Sequence, residues 1–157
     1  MKVIYATQPL VELKNSVALL GPTPRDALTP SWRPKFIETL SSAGFDGTII
    51  VPEPSDGKFS HSYINQVEWE LEMIEKSELI SFWVPRELFH MAGFTTNIEL
   101  GFCLGKQKRT IYGRPNDAEK IKYCDFLHHK FNLSGQDKPY NNIRDMAIQI
   151  VKYFGAK

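Results

Sequence analysis

LISFWV, Leu79 to Val84, is a continuous run of apolar and small residues stopped by Pro85. A run this short and this unbroken reads as a strand buried on both faces: a half-exposed strand would alternate, and a helix would run longer. Working outward, the same pattern recurs three times. Ser16 to Leu20 (SVALL) stops at Gly21-Pro22, Thr48 to Val51 (TIIV) stops at Pro52, and Arg109 to Tyr112 stops at Gly113. Lys2 to Ala6 (KVIYA) reads as a further edge strand.

Helix patterns fill the gaps. Ser31 is placed to cap Trp32 to Ala43, with Pro34 in the first turn and Gly44 beyond the end. Tyr63 to Ser77 puts Ile64, Val67, Leu71 and Ile74 on one face. Thr95 or Thr96 is placed to cap Asn97 to Gly105, and Asp117 to cap a helix ending near Phe131. Asn141 to Phe154 carries Ile143, Met146, Ala147, Ile150 and Val151 on one face. Strands alternating with helices predict βαβ units. The expected class is therefore α/β: a Rossmann-like three-layer sandwich with a mostly parallel central sheet of 4–5 strands, in one domain over residues 1–157.

Composition narrows the function. The net charge of +1 argues against strong non-specific attraction to nucleic acid or anionic membrane. No apolar run is long enough to span a bilayer, and polar breaks at Gln8, Glu12, Lys14 and Asn15 argue against a secretory leader. Cys103 and Cys124 have neither metal-ligand nor redox spacing. The expectation is a reduced, cytoplasmic protein with buried thiols. His61, His90, His128 and His129 show no ligand pattern, so neither a metal nor a cofactor is expected.

Sheets of this kind bind ligands at the carboxyl ends of their strands. Those ends are rich in polar groups here. Gly21-Pro22-Thr23-Pro24-Arg25 offers backbone N–H groups, a hydroxyl and a guanidinium for a sugar or phosphate, or is simply a rigid turn. Glu99, in Thr95-Thr96-Asn97-Ile98-Glu99, is expected in a first helical turn, where the helix dipole keeps a carboxylate ionised. Such a carboxylate can capture or stabilise an oxocarbenium-like sugar. Spacing alone favours the plainer reading, a capping box with Thr96. Glu68, Glu72 and Glu75 share an exposed stripe, whereas Glu70 is rotated toward Val67 and Ile74 and needs a partner or a job. Trp32, Trp69, Trp83, Phe89 and Phe94 serve either as core or as a stacking wall for a base.

Taken in order, LLGPTPR (Leu19 to Arg25), SWRP (Ser31 to Pro34), GFDGTIIVPEP (Gly44 to Pro54), QVEWE (Gln66 to Glu70), FWVPRE (Phe82 to Glu87) and GFTTNIELG (Gly93 to Gly101) resemble the nucleoside 2-deoxyribosyltransferase-like proteins. The resemblance implies a flavodoxin-like fold and double displacement on a (deoxy)nucleoside or nucleotide. It makes Glu99 the nucleophile and Glu70 the residue handling the proton on the departing base. Gly21, Thr23, Arg25 and Asn97 are then expected at the substrate. The family's Asp shortly before the nucleophile has no counterpart here, so Arg86, Glu87 or Asn97 takes its place. The implied partners are a small-molecule nucleoside or nucleotide, a free base as acceptor, and further copies of the chain in a homo-oligomer. Two rivals are a nucleoside 5′-monophosphate N-glycosidase and a catalytically silent nucleotide-binding module.

Overall fold

The computed structural model describes residues 1–26, 28–57 and 62–155, so His61 lies outside the described residues. Its centre is a five-stranded sheet of β1 (Lys2–Tyr5), β2 (Ser16–Leu20), β3 (Thr48–Val51), β4 (Leu79–Trp83) and β5 (Thr110–Gly113). The strand order is β1-β3-β2-β4-β5, and every pairing is parallel. The four apolar runs read from sequence are all strands, and KVIYA pairs with β3 at one edge, with β5 at the other. Beyond β1, the order is flavodoxin-like, with β2 central between β3 and β4.

Period-2 alternation divides the core. Ala18, Leu20, Ile80 and Phe82 face one layer, with α2 (Tyr63–Lys76), α3 (Phe94–Gly105) and α4 (Lys122–Phe131) supplying Trp69, Met73, Leu100, Cys103 and Cys124. Val17, Leu19, Leu79 and Trp83 face the other, covered by Phe36 and Leu40 of α1 (Arg33–Ser42) and Met146, Ala147 and Ile150 of α5 (Ile143–Gly155). Two buried faces explain why the strands read as unbroken apolar runs. The three-layer α/β architecture expected from the sequence is the one observed. Among the described residues no helix is long and apolar enough to cross a membrane.

The N-cap of α1 is Trp32 rather than Ser31, whose hydroxyl still accepts from Arg33 N–H, and three further local expectations change. First, α3 begins two or three residues earlier than a Thr95 or Thr96 cap allows. Gly93, at φ 59°, makes a left-handed turn at the N-cap, and Thr96 is buried inside the helix. A glycine enters this conformation without steric cost, so the chain turns there rather than at a capping threonine. Second, Asp117 caps no helix: α4 starts at Lys122, with Ile121 at the N-cap. The intervening turn is tied to the loop after β4, where Glu119 N–H donates to the Arg86 carbonyl and Leu88 N–H to the Glu119 carboxylate. Third, α2 buries Trp69, Met73 and Ile74, while Ile64 and Leu71 are 67% and 47% exposed. The stripe read as core on this helix is split between the core and an open cavity.

His128 and His129 do point apart. His128 is buried against the Tyr112 ring, its pKa lowered to about 4 mainly by burial, and His129 is exposed beside Asp137. Cys103 and Cys124 are both buried and unbridged. The three tryptophans belong to the core, whereas Phe89 and Phe94 are exposed.

Candidate active site

In a doubly wound sheet the crevice opens where the strand order reverses, outside the carboxyl ends of the strands flanking that point. Here the point lies between β2 and β4. The chain leaving β2 turns at Gly21, which sits at φ 149° against the Trp83 carbonyl, a place with no room for a side chain. That close approach brings the β2 loop against the end of β4. A cavity of about 600 Å³ opens beside it, walled by the β2 loop, α2 and α3.

Glu99 and Glu70 both line this cavity, together with Gly21, Thr23, Gln66 and Arg33. The remaining wall is largely apolar, with Val67, Leu71 and Ile74 from α2 and Ile98 and Phe102 from α3. Glu99 lies in the second turn of α3 rather than the first, because the helix starts at Phe94. The dipole advantage expected at a helix start is therefore reduced. Burial pushes its carboxyl up to about 7, the neighbouring Glu70 charge pushes the same way, and Arg33 opposes both. The expectation of a carboxylate ionised by the helix dipole is replaced by one poised near neutrality through desolvation and a like charge. Glu70 is also raised, by burial, and is steadied by Gln66, whose Nε2 donates to Glu70 Oε1 at 2.8 Å. Two carboxylates facing one desolvated space titrate as a pair.

Arg33, the first residue of α1, is 1% exposed. Its Nε donates to the Leu19 carbonyl at 3.1 Å and its Nη2 to the Gly21 carbonyl at 2.8 Å. Nη1 donates to the Thr23 hydroxyl at 3.3 Å and pairs with Glu53, which follows β3. The Trp32 ring lies 4.4 Å from the guanidinium carbon.

Gly21, Thr23, Glu70 and Glu99 are thus brought together as read from sequence. Arg25, Arg86, Glu87 and Asn97 are not brought to the cavity wall. Arg25 is exposed, its guanidinium 5.1 Å from the Phe94 ring centre. Arg86 is buried, donating to the carbonyls of Lys120 and Gly93 and to Asn97 Oδ1. Asn97 is accordingly turned toward Arg86 and the Cys124 thiol. Glu87 is exposed and accepts from the N–H groups of Phe89 and His90, closing a turn. Arg33, Glu53 and Gln66 were missed as site residues. Arg33, Glu53 and Gln66 all stood inside the segments that carry the resemblance, but an arginine opening a helix is ordinarily solvated, and its partners lie 10 to 20 positions away.

Residues 14–117 match the family described as nucleoside 2-deoxyribosyltransferase like. No curated protein shows significant similarity to the sequence. A solved structure described as a conserved protein from Enterococcus faecalis V583 is similar over 88% of this chain and 86% of its own, with 10% identity and a TM-score of 0.48.

Proposed function

This chain belongs to the nucleoside 2-deoxyribosyltransferase-like family, and from that premise we propose that it breaks an N-glycosidic bond of a nucleoside with Glu99 as nucleophile. The observation that carries the reading is the pair of desolvated carboxylates, Glu70 and Glu99, facing one cavity at the switch point of the sheet. The pair shares one proton, and the reactive arrangement has that proton on Glu70. The ionised Glu99 oxygen then bonds to C1′ as the C1′–N bond breaks. The bonding electrons leave with the base nitrogen, which takes the proton from Glu70. In the second half, an acceptor base or water attacks C1′, gives its proton to Glu70 and releases Glu99.

Charge favours a substrate without a 5′-phosphate. Among the described residues lining the cavity Arg33 is the one cation, and Glu53 already pairs with it. With Glu70 and Glu99 the wall is acidic overall, a poor host for a dianion. We expect kcat/KM for a nucleoside to exceed that for its 5′-monophosphate by at least about 10-fold, a difference of about 1.4 kcal/mol. A panel of both, with and without an acceptor base, measures this and separates transfer from hydrolysis. Preference for the monophosphate would favour the phosphate-dependent rival, and binding without turnover would favour the silent module. Since Arg25 is off the wall, Arg25→Ala should affect both substrates equally.

The same reading includes a homo-oligomer. Phe89 is 79% exposed and Phe94 66%, on and after the loop following β4, and Ile98 on the cavity rim is 73% exposed. Apolar side chains grouped beside a site fit cover by a second copy. Light scattering at micromolar concentration should give a mass of at least two chains, and Ile98→Lys should lower it. A fully active monomer would overturn the assembly.

A further inference from the structure

The buried Arg33 does more than its hydrogen bonds require. Two of its partners are the carbonyls of Leu19 and Gly21, which need donors but no charge. Burying a full charge is costly unless it is paired, and Glu53 supplies that pair. Glu53 is itself held by the Ser31 hydroxyl at 2.8 Å, so the ion pair is fixed at both ends. Arg33 nonetheless also lines the cavity, where Glu70 and Glu99 stand within its electrostatic reach but are not its hydrogen-bond partners. One rigid cation thus faces three carboxylates, one in contact and two across the cavity. Among the described residues no hydrogen bond holds the Glu99 carboxylate, so its charge state follows the field around it.

The geometry points to Arg33 as a positioning residue whose charge, limited by its counter-ion Glu53, draws Glu99 into its ionised form. The assignment rests on reading Glu99 as the nucleophile. Among the described residues the titratable groups that act on Glu99 or are acted on by it are Arg33 from α1, Glu70 from α2 and Cys103 one turn further along α3. Glu70 and burial oppose ionisation, and Arg33 alone favours it. Glu53 acts at one remove, by offsetting Arg33. Opposite substitutions should therefore move Glu99 in opposite directions. Arg33→Met removes the cation and favours the protonated acid. Glu53→Gln leaves the cation uncompensated and favours the carboxylate. Arg33→Lys keeps the charge but not the planar fork, so it should loosen the β2 loop with little effect on Glu99 ionisation.

The test is carbon-13 NMR titration of the glutamate carboxyls in the ligand-free protein, with the Glu99 signal identified by its loss in Glu99→Gln. The pH profile of kcat/KM for a nucleoside is measured alongside. In Arg33→Met the Glu99 midpoint and the acid limb should both rise by about one to two pH units, and in Glu53→Gln both should fall. An unmoved midpoint in folded Arg33→Met would overturn the assignment. If Arg33→Met does not fold, an unmoved or upward midpoint in Glu53→Gln overturns it alone. Midpoints that move as expected in a protein with no glycoside turnover would keep Arg33's role and remove the enzymatic reading. Turnover with unmoved midpoints would do the reverse.

Discussion

Glu99→Gln should lose N-glycoside turnover by about 10³-fold or more and at the same time make the protein more stable at pH 8. The first effect follows from losing the oxygen that bonds to C1′. The second follows from linkage. The carboxyl of Glu99 is raised in the folded state from an ordinary 4.5 to about 7. A raised carboxyl contributes its stability fully below the unfolded value and loses it as pH rises through the folded value. Above pH 7 the folded protein therefore carries a desolvated charge that the unfolded chain holds more cheaply. Gln removes it, for a gain on the order of 3 kcal/mol at pH 8 that disappears near pH 4. Urea unfolding at the two pH values, with turnover on the best nucleoside, measures both. Near-normal turnover, or no pH-dependent stabilisation, would count against a desolvated nucleophile. A gain in stability from losing a reactive group is the usual signature of a site selected for chemistry.

Glu70→Gln should slow the reaction by about 10² to 10⁴-fold, with the size of the loss set by the leaving group. A base that departs poorly as an anion needs the proton, so its nucleoside should suffer most. A nucleoside of a strongly acidic base should be nearly spared in kcat/KM, which reports the first half, while kcat stays low because Glu70 also takes the proton in the second half. The variant should also flatten the basic limb of the rate profile, where Glu70 loses its proton, and leave the acid limb near its place, because there Glu99 ionises beside a neutral Glu70. Gln66 donates to Glu70 Oε1, and the amide oxygen of a glutamine can accept the same bond, so the local geometry is preserved. Uniform losses across leaving groups with an unmoved basic limb would assign Glu70 to positioning rather than proton transfer.

The central sheet was legible in the sequence because its information is local. LISFWV, SVALL and TIIV are continuous apolar runs ended by proline or glycine, and burial on both faces of a parallel sheet demands that pattern. Glu70 was legible for a related reason: helical periodicity turned it away from the acidic stripe toward Val67 and Ile74, and all three line the cavity. The start of α3 was not legible. Capping chemistry at Thr95 and Thr96 competed with a left-handed turn at Gly93, and the turn prevailed because Gly93 carries no Cβ to clash. The roles of Arg86 and Asn97 were not legible either. Arg86 Nη1 and Nη2 are engaged by Asn97 Oδ1 and by carbonyls 7 and 34 positions from Arg86.

What the sequence determined alone was therefore the set of elements and which of them carry Glu70 and Glu99. What the tertiary structure decided was the electrostatic state of those residues. Spacing favours an ionised Glu99 at a helix start; folding places it a turn deeper, against Glu70 and opposite a buried arginine from α1. Desolvation and charge–charge interaction depend on distances between segments separated in the chain, and no local pattern encodes them.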